Sequence, residues 1–175
     1  MGTLKTMVCP VEVVFDKFRC DTRAGLVYRA CKDGPLVVWK PFLTVDPKGY
    51  VYPYLRWKNK TYHIYAHRVV WAFAHGTWPT GFIDHINGNR SDNRIENLRD
   101  VSSGTNGKNK AQNTKNVSGV TGVSWCKARR RWRAKITSDY ETTILGHFDD
   151  FDEAVRVRRE AEREKNFHPN HGRKK

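Results

Sequence analysis

Apolar and polar positions change rhythm along this chain. Up to residue 60, short runs rich in β-branched and aromatic side chains, at 11–15, 26–28, 36–39 and 50–57, are broken by Gly and Pro and predict short strands. The Lys58-Asn59-Lys60 step between 50–57 and 61–65 predicts a hairpin tip. From 66 to 74 the apolar Val69, Val70, Trp71 and Phe73 crowd a segment that Gly76 and Pro79 end, so a short helix is expected there. A strand before Asp84 and another over 98–101 flank Asn-Gly-Asn and Ser-Asp-Asn steps, which are strong turn formers. Ser102 and Ser103 are candidate N-caps for a helix carrying Asn106, which would close a ββα unit.

Residues 107–119 are almost wholly polar and rich in Asn and Lys, the composition of a linker that follows DNA or of a solvated loop. Beyond them, 122–125, 129–137 and 142–148 are strand-like and a helix covers 152–166. In the middle strand Trp132, Ala134 and Ile136 alternate with Arg131, Arg133 and Lys135. Period two puts the apolar set on one face, where Ala154, Val155 and Ala161 of the helix can cover it, and a row of cations on the other. The expected class is α+β: a β-rich N-terminal extension at 1–49, a central unit at 50–110, a linker at 111–119, a small three-stranded antiparallel sheet with one helix at 120–168, and a basic tail at 169–175.

Charge adds a partner. Lys and Arg number 32 against 18 Asp and Glu, a formal +14 in 175 residues. The excess is shared, with 17 basic and 9 acidic residues up to Lys110 and 15 and 9 beyond it, so both parts are expected to touch the same polyanion. Lys127 and Arg129 with Arg131, Arg133 and Lys135, beside Trp125, are candidate contacts on the C-terminal sheet, and Lys108, Lys110 and Lys115 in the linker. No apolar run approaches membrane-spanning length and the N-terminus lacks a signal-peptide pattern, so a cytoplasmic protein with no membrane partner is expected. Cys9, Cys20, Cys31 and Cys126 show no C-x-x-C spacing, so no structural zinc is expected.

The candidate chemistry lies in Asp84-His85-Ile86-Asn87-Gly88-Asn89, followed by Asp92-Asn93-Arg94, Asn97-Leu98-Arg99 and Asn106. A carboxylate, an imidazole and carboxamides in this order can hold one hard divalent cation, Mg²⁺ or Mn²⁺, and activate one water. Adjacent residues of a strand point to opposite faces, so Asp84 and His85 can serve one site only if the backbone bends there.

These residues, with Ala66-His67-Arg68-Val69-Val70-Trp71, resemble the HNH nuclease family in the form found in phage and intron homing endonucleases. The resemblance runs from about residue 50 to 110 and implies a ββα-metal (His-Me finger) core. It makes His85 the general base, Asn97 the residue that orients loop and imidazole, and Asp84 with Asn106 the ligands of one metal. Many family members carry a terminal His where this chain has Asn106, and His67 and His75 are auxiliary candidates. The C-terminal part, through Gly122-Val123-Ser124-Trp125, Arg131-Trp132-Arg133-Ala134-Lys135-Ile136 and Leu145-Gly146-His147-Phe148, resembles the AP-two or ethylene-response-factor DNA-binding domain of plants. Together they imply a site-specific endonuclease that nicks double-stranded DNA as a monomer. The alternatives are a phage DNA-binding regulator that keeps the nuclease fold as a scaffold, or, less well supported, an RNA-binding protein.

Overall fold

Helix, not strand, forms where the β-branched run at 11–15 predicts extended chain: α1 (Val11–Lys17) in the computed structural model, which describes residues 9–174. Val11, Val14, Phe15 and Phe18 recur at the i, i+3, i+4, i+7 spacing of one helix face, and that period overrides local β propensity. Val14 is completely buried, and Phe15 meets Phe73 edge-on at 5.0 Å. The expected N-terminal extension and basic tail each include residues, 1–8 and 175, that lie outside the described range.

The chain then builds an antiparallel sheet in spatial order β1 (Phe18–Asp21), β2 (Leu26–Asp33), β3 (Leu36–Pro41). A hairpin follows, β4 (Tyr54–Trp57) and β5 (Lys60–His63), joined through Lys58 and Asn59 at φ 46° and 58°. Two successive left-handed residues make the turn whose twist matches the strands, so the hairpin expected at this step forms. α2 (Ala66–His75) appears as the apolar crowding predicts, and Gly76 at φ 76° closes it by donating its N–H to Ala72 O. Val69 and Val70 of α2 share one core with Cys9, Val14, Phe18, Val27, Leu55, Ile64 and Leu98. Residues 9–49 therefore supply part of the same core as the segment after them.

β6 (Phe82–His85) pairs with β7 (Leu98–Val101), and a 3₁₀ turn at Ile95–Asn97 leads into β7. Asp100 ties the entry of β6 to β7 by accepting the Thr80 N–H at 2.7 Å and the Gly81 N–H at 2.8 Å. α3 (Ser103–Gly107) follows, capped by Ser102 Oγ, which accepts the Thr105 N–H. Two strands and a helix thus succeed one another as the sequence suggests. The chain divides into two units at Asp100/Val101, earlier than the boundary at 110, so α3 groups with the second.

In that unit β8 (Val123–Cys126), β9 (Arg131–Ser138) and β10 (Glu141–Phe148) form an antiparallel sheet with β9 central. α4 (Phe151–Glu164) packs on it, with Asp150 as N-cap, and Val123, Ala134 and Ala154 form the core with Trp132, Leu145, Phe148, Phe151 and Val155 around them. The period-two expectation for β9 holds, with Ala134 and Ile136 buried and Arg131 and Lys135 exposed.

The polar stretch after α3 is not an open linker at its start. His168 N–H donates to Lys108 O, Gly172 N–H to Lys110 O, and Gln112 N–H to Arg173 O. Arg173 Nη1 also donates to Asn109 O at 2.7 Å. Backbone groups of a polar segment still need partners, and here His168 and residues of the expected basic tail supply them.

Candidate active site

β6 carries Asp84 and His85 at its C-terminal end, both nearly buried at 7% and 4% exposure. The strand stops at His85 because the chain turns there: Gly88, at φ 76°, donates its N–H back to His85 O at 2.8 Å. Asp84 is held by Arg99, whose Nε and Nη2 both donate to Asp84 Oδ2, at 2.9 and 2.7 Å. His85 is held elsewhere, its Nε2 lying 3.2 Å from Asn93 Oδ1. Asn93 Nδ2 donates to Ser91 O, so Oδ1 faces the imidazole. The neutral ring then carries its proton on Nε2 and its lone pair on Nδ1.

Asn97 braces the loop between the two strands. Its Oδ1 accepts the Asn87 N–H at 3.0 Å, its Nδ2 donates to Asp92 O at 2.8 Å, and its own carbonyl accepts the Ile86 N–H. The Asn97 side chain thus bonds the loop backbone and not the imidazole, and the side chain on the imidazole is Asn93. The sequence offered little to single out Asn93, because Ser-Asp-Asn has the signature of a turn whatever its side chains do. Asp92 accepts bonds from Arg94 and Asn87, and Arg94 chiefly holds its carboxyl down at about 2.

His67, at the start of α2, meets His85 edge-on with centroids 5.2 Å apart and stacks on Tyr65 at 5.3 Å. Tyr50 closes the aromatic group, 5.4 Å from His67 and 6.0 Å from His85, with Arg90 4.9 Å above its ring. Burial pushes His85 below its usual range, against the Asn93 bond and the charges of Asp84 and Asp92. Burial, then His85 and Arg68, pushes His67 to about 3. Burial thus holds both facing imidazoles below their ordinary range, and the nearby Arg90 and Arg68 add to the cost of charging them.

His67 also sets a pH dependence for stability. Its imidazole titrates near 6.5 when unperturbed and at about 3 when folded, so below about pH 6.5 the unfolded chain binds a proton the folded chain refuses. Stability is level above that pH and falls as pH drops toward 3. His67→Phe keeps a ring against Tyr65 and should flatten the decline of thermal midpoint between about pH 6.5 and 4.5. An equally steep decline in the variant would show that His67 is not its source.

His75 sits at the other end of α2, exposed, stacked on Trp71 at 3.9 Å with Nδ1 3.0 Å from Trp71 O. Its recorded partners belong to its own helix. Asn106 lies on α3 in the second unit, and its role as a ligand is a sequence assignment.

On the second unit, Arg131, Arg133 and Lys135 share the face of the sheet away from Ala134 and Ile136, and register adds His147 opposite Arg133. Arg131 pairs with Asp149 at 2.8 Å in the open. Burial, and then Arg129, Arg133 and Arg131, lower the His147 imidazole. Lys127 and Arg129 stand exposed in the turn between β8 and β9. Trp125 is opposite Trp132 in the β8–β9 register and 5.3 Å from it, so it belongs to the face that α4 packs on. Lys110 and Lys115 are exposed, whereas Lys108 lies 3.6 Å from Asp139 and over the Phe167 ring.

Residues 64–108 match a family model described as HNH endonuclease. This range contains His67, Asp84, His85, Asn93, Asn97 and Asn106, so an HNH endonuclease family domain occupies this stretch. Protein 3.8 of Escherichia phage T7 is 39% identical over 74 residues, covering 42% of this chain and 61% of that protein. The chain thus spans less than two thirds of the length of that curated relative. No solved structure matches the chain.

Proposed function

We propose that the HNH domain makes this chain a metal-dependent, site-specific endonuclease of the homing type, cutting one strand of double-stranded DNA per active site. The observation that carries the reading is the buried His85, fixed by Asn93 inside the HNH segment. Its setting would be the cytoplasm, that of the bacterial host if the chain is phage-encoded.

The donor set fits a hard divalent cation. Asp84 is a buried carboxylate, and both guanidinium bonds from Arg99 end on Oδ2, which fixes its orientation. With Asp84 as the buried carboxylate, most positions around a hard cation would go to water and phosphate oxygens, as suits Mg²⁺. Asp84 would hold it, and the ion would stabilise charge on the phosphate and the departing 3′ oxygen.

The side chains do the rest. His85 Nδ1 takes a proton from water as the water oxygen bonds to phosphorus, while Asn93 holds the ring and shares the growing imidazolium charge. The bond from phosphorus to the 3′ oxygen breaks and that oxygen ends protonated, leaving a 3′ hydroxyl and a 5′ phosphate. The loop braced by Asn97 fixes the backbone on which His85 sits. The C-terminal sheet, whose order of three strands and one helix suits the AP-two-like resemblance, would hold DNA through Arg131, Arg133 and Lys135.

Supercoiled plasmid and phage-derived DNA should be converted to open circle with Mg²⁺ or Mn²⁺ and left intact with EDTA. Linear product would argue for paired active sites instead of a single nick. The Arg99 pair already satisfying Asp84 favours the regulator reading, and tight, salt-sensitive binding without cleavage on either DNA would establish it over the nuclease.

A further inference from the structure

The turn between β1 and β2 lies far from the HNH match in sequence, yet it presses on the segment that carries Asn93. Gly25 is buried at φ 70°, and a Cβ built on it would stand 2.4 Å from both Arg94 N and Asn93 C. Distances that short are forbidden against backbone, and the left-handed φ disfavours a side chain as well. Beside it, Ile95 N–H donates to Thr22 O at 2.9 Å. The turn is itself fixed, because Asp21 Oδ1 accepts the N–H groups of Arg23 and Ala24 at 3.0 and 2.9 Å. The backbone at 93–95 is thus clamped by residues 21–25 on one side, and on the other the Asn93 side chain meets the His85 imidazole.

We infer that the 21–25 turn is a positioning element for His85, acting through Asn93, so that residues before 50 set the proton-accepting geometry of the HNH site. Gly25 is the positioning residue, since its bare backbone lets the two chains approach. This rests on the nuclease reading for its kinetic consequence but not for its structural one. A shift of Asn93 by the radius of a methyl group loosens its 3.2 Å contact with His85 and frees the ring to change tautomer.

The experiment is nitrogen-15 histidine NMR on the full chain, with the His85 signals identified by their loss in His85→Gln, run beside single-turnover cleavage. Wild type should show His85 neutral and protonated on Nε2. Gly25→Ala should mix the tautomers or erase the hydrogen-bonded signal and slow cleavage by about a hundredfold, the cost of an ångström's misplacement, with DNA affinity unchanged. Asp21→Ala, which releases the turn at an exposed position without a clash, should shift the same signal less and serves if Gly25→Ala does not fold. In an Asn93→Ala background Gly25→Ala should slow cleavage no further, as expected of residues acting through one another. A folded Gly25→Ala or Asp21→Ala protein with the His85 signal intact would overturn the inference. If wild type cleaves nothing with any metal, the nuclease reading fails, and the tautomer signal still decides the positioning claim by the same criterion.

Discussion

His85→Ala should abolish strand cleavage while leaving DNA affinity at the wild-type level. A positioned general base contributes typically 10²–10⁴-fold, and His85 is the imidazole whose lone pair is oriented by a hydrogen bond on its other nitrogen. The variant should therefore slow cleavage by at least about a hundredfold. Its stability cost has a different origin, since Asn93 Oδ1 loses its buried partner, worth about 1–3 kcal/mol. A melting curve separates that from the kinetic effect. Affinity should survive because the expected DNA contacts lie on the second sheet. Loss of binding along with cleavage would count against His85 as the base.

Arg131→Ala combined with Arg133→Ala should weaken DNA binding and flatten its salt dependence, lowering the slope of log affinity against log salt by roughly 2 if each cation meets one phosphate. Arg131 is available for exchange, because its pair with Asp149 is exposed and such pairs contribute only about 0–1 kcal/mol. Arg131, Arg133 and Lys135 share one face of the sheet, and the mutual repulsion of these cations is relieved by an anion. Binding measured at several salt concentrations on cognate and unrelated duplexes distinguishes backbone contact from base reading. Unchanged affinity and slope would sink the claim that this face holds DNA.

The elements legible in the sequence were those whose signals are local. Lys58-Asn59 between two strand-like runs, Gly76 after an apolar cluster, and the alternation from Arg131 to Ile136 each specify their structure within a few residues. Asp84 and His85 stand out in the sequence only through the longer pattern that runs on to Asn97-Leu98-Arg99. What escaped was non-local. α1 was hidden because Val11, Val13 and Val14 favour strand one by one, while only the spacing to Phe15 and Phe18 reveals the helix face. Asn93 was hidden in a turn signature, and Gly25 can be seen to matter only once Asn93 and Arg94 lie against it. The tie between residues 108–112 and 168–173 has no sequence signature, because any polar segment can supply backbone partners.

That tie also orders events during synthesis. Residues 108–112 cannot acquire their amide and carbonyl partners until the ribosome has made the chain past residue 173, whereas the core uniting Val14, Val27, Val70 and Leu98 is complete much earlier. The nascent chain thus carries a first unit with its core in place ahead of a stretch that stays open until residues 168–173 have emerged. A fragment stopped after Lys165 would keep α4 and still leave Lys108, Lys110 and Gln112 without these partners, exposing that stretch to proteases.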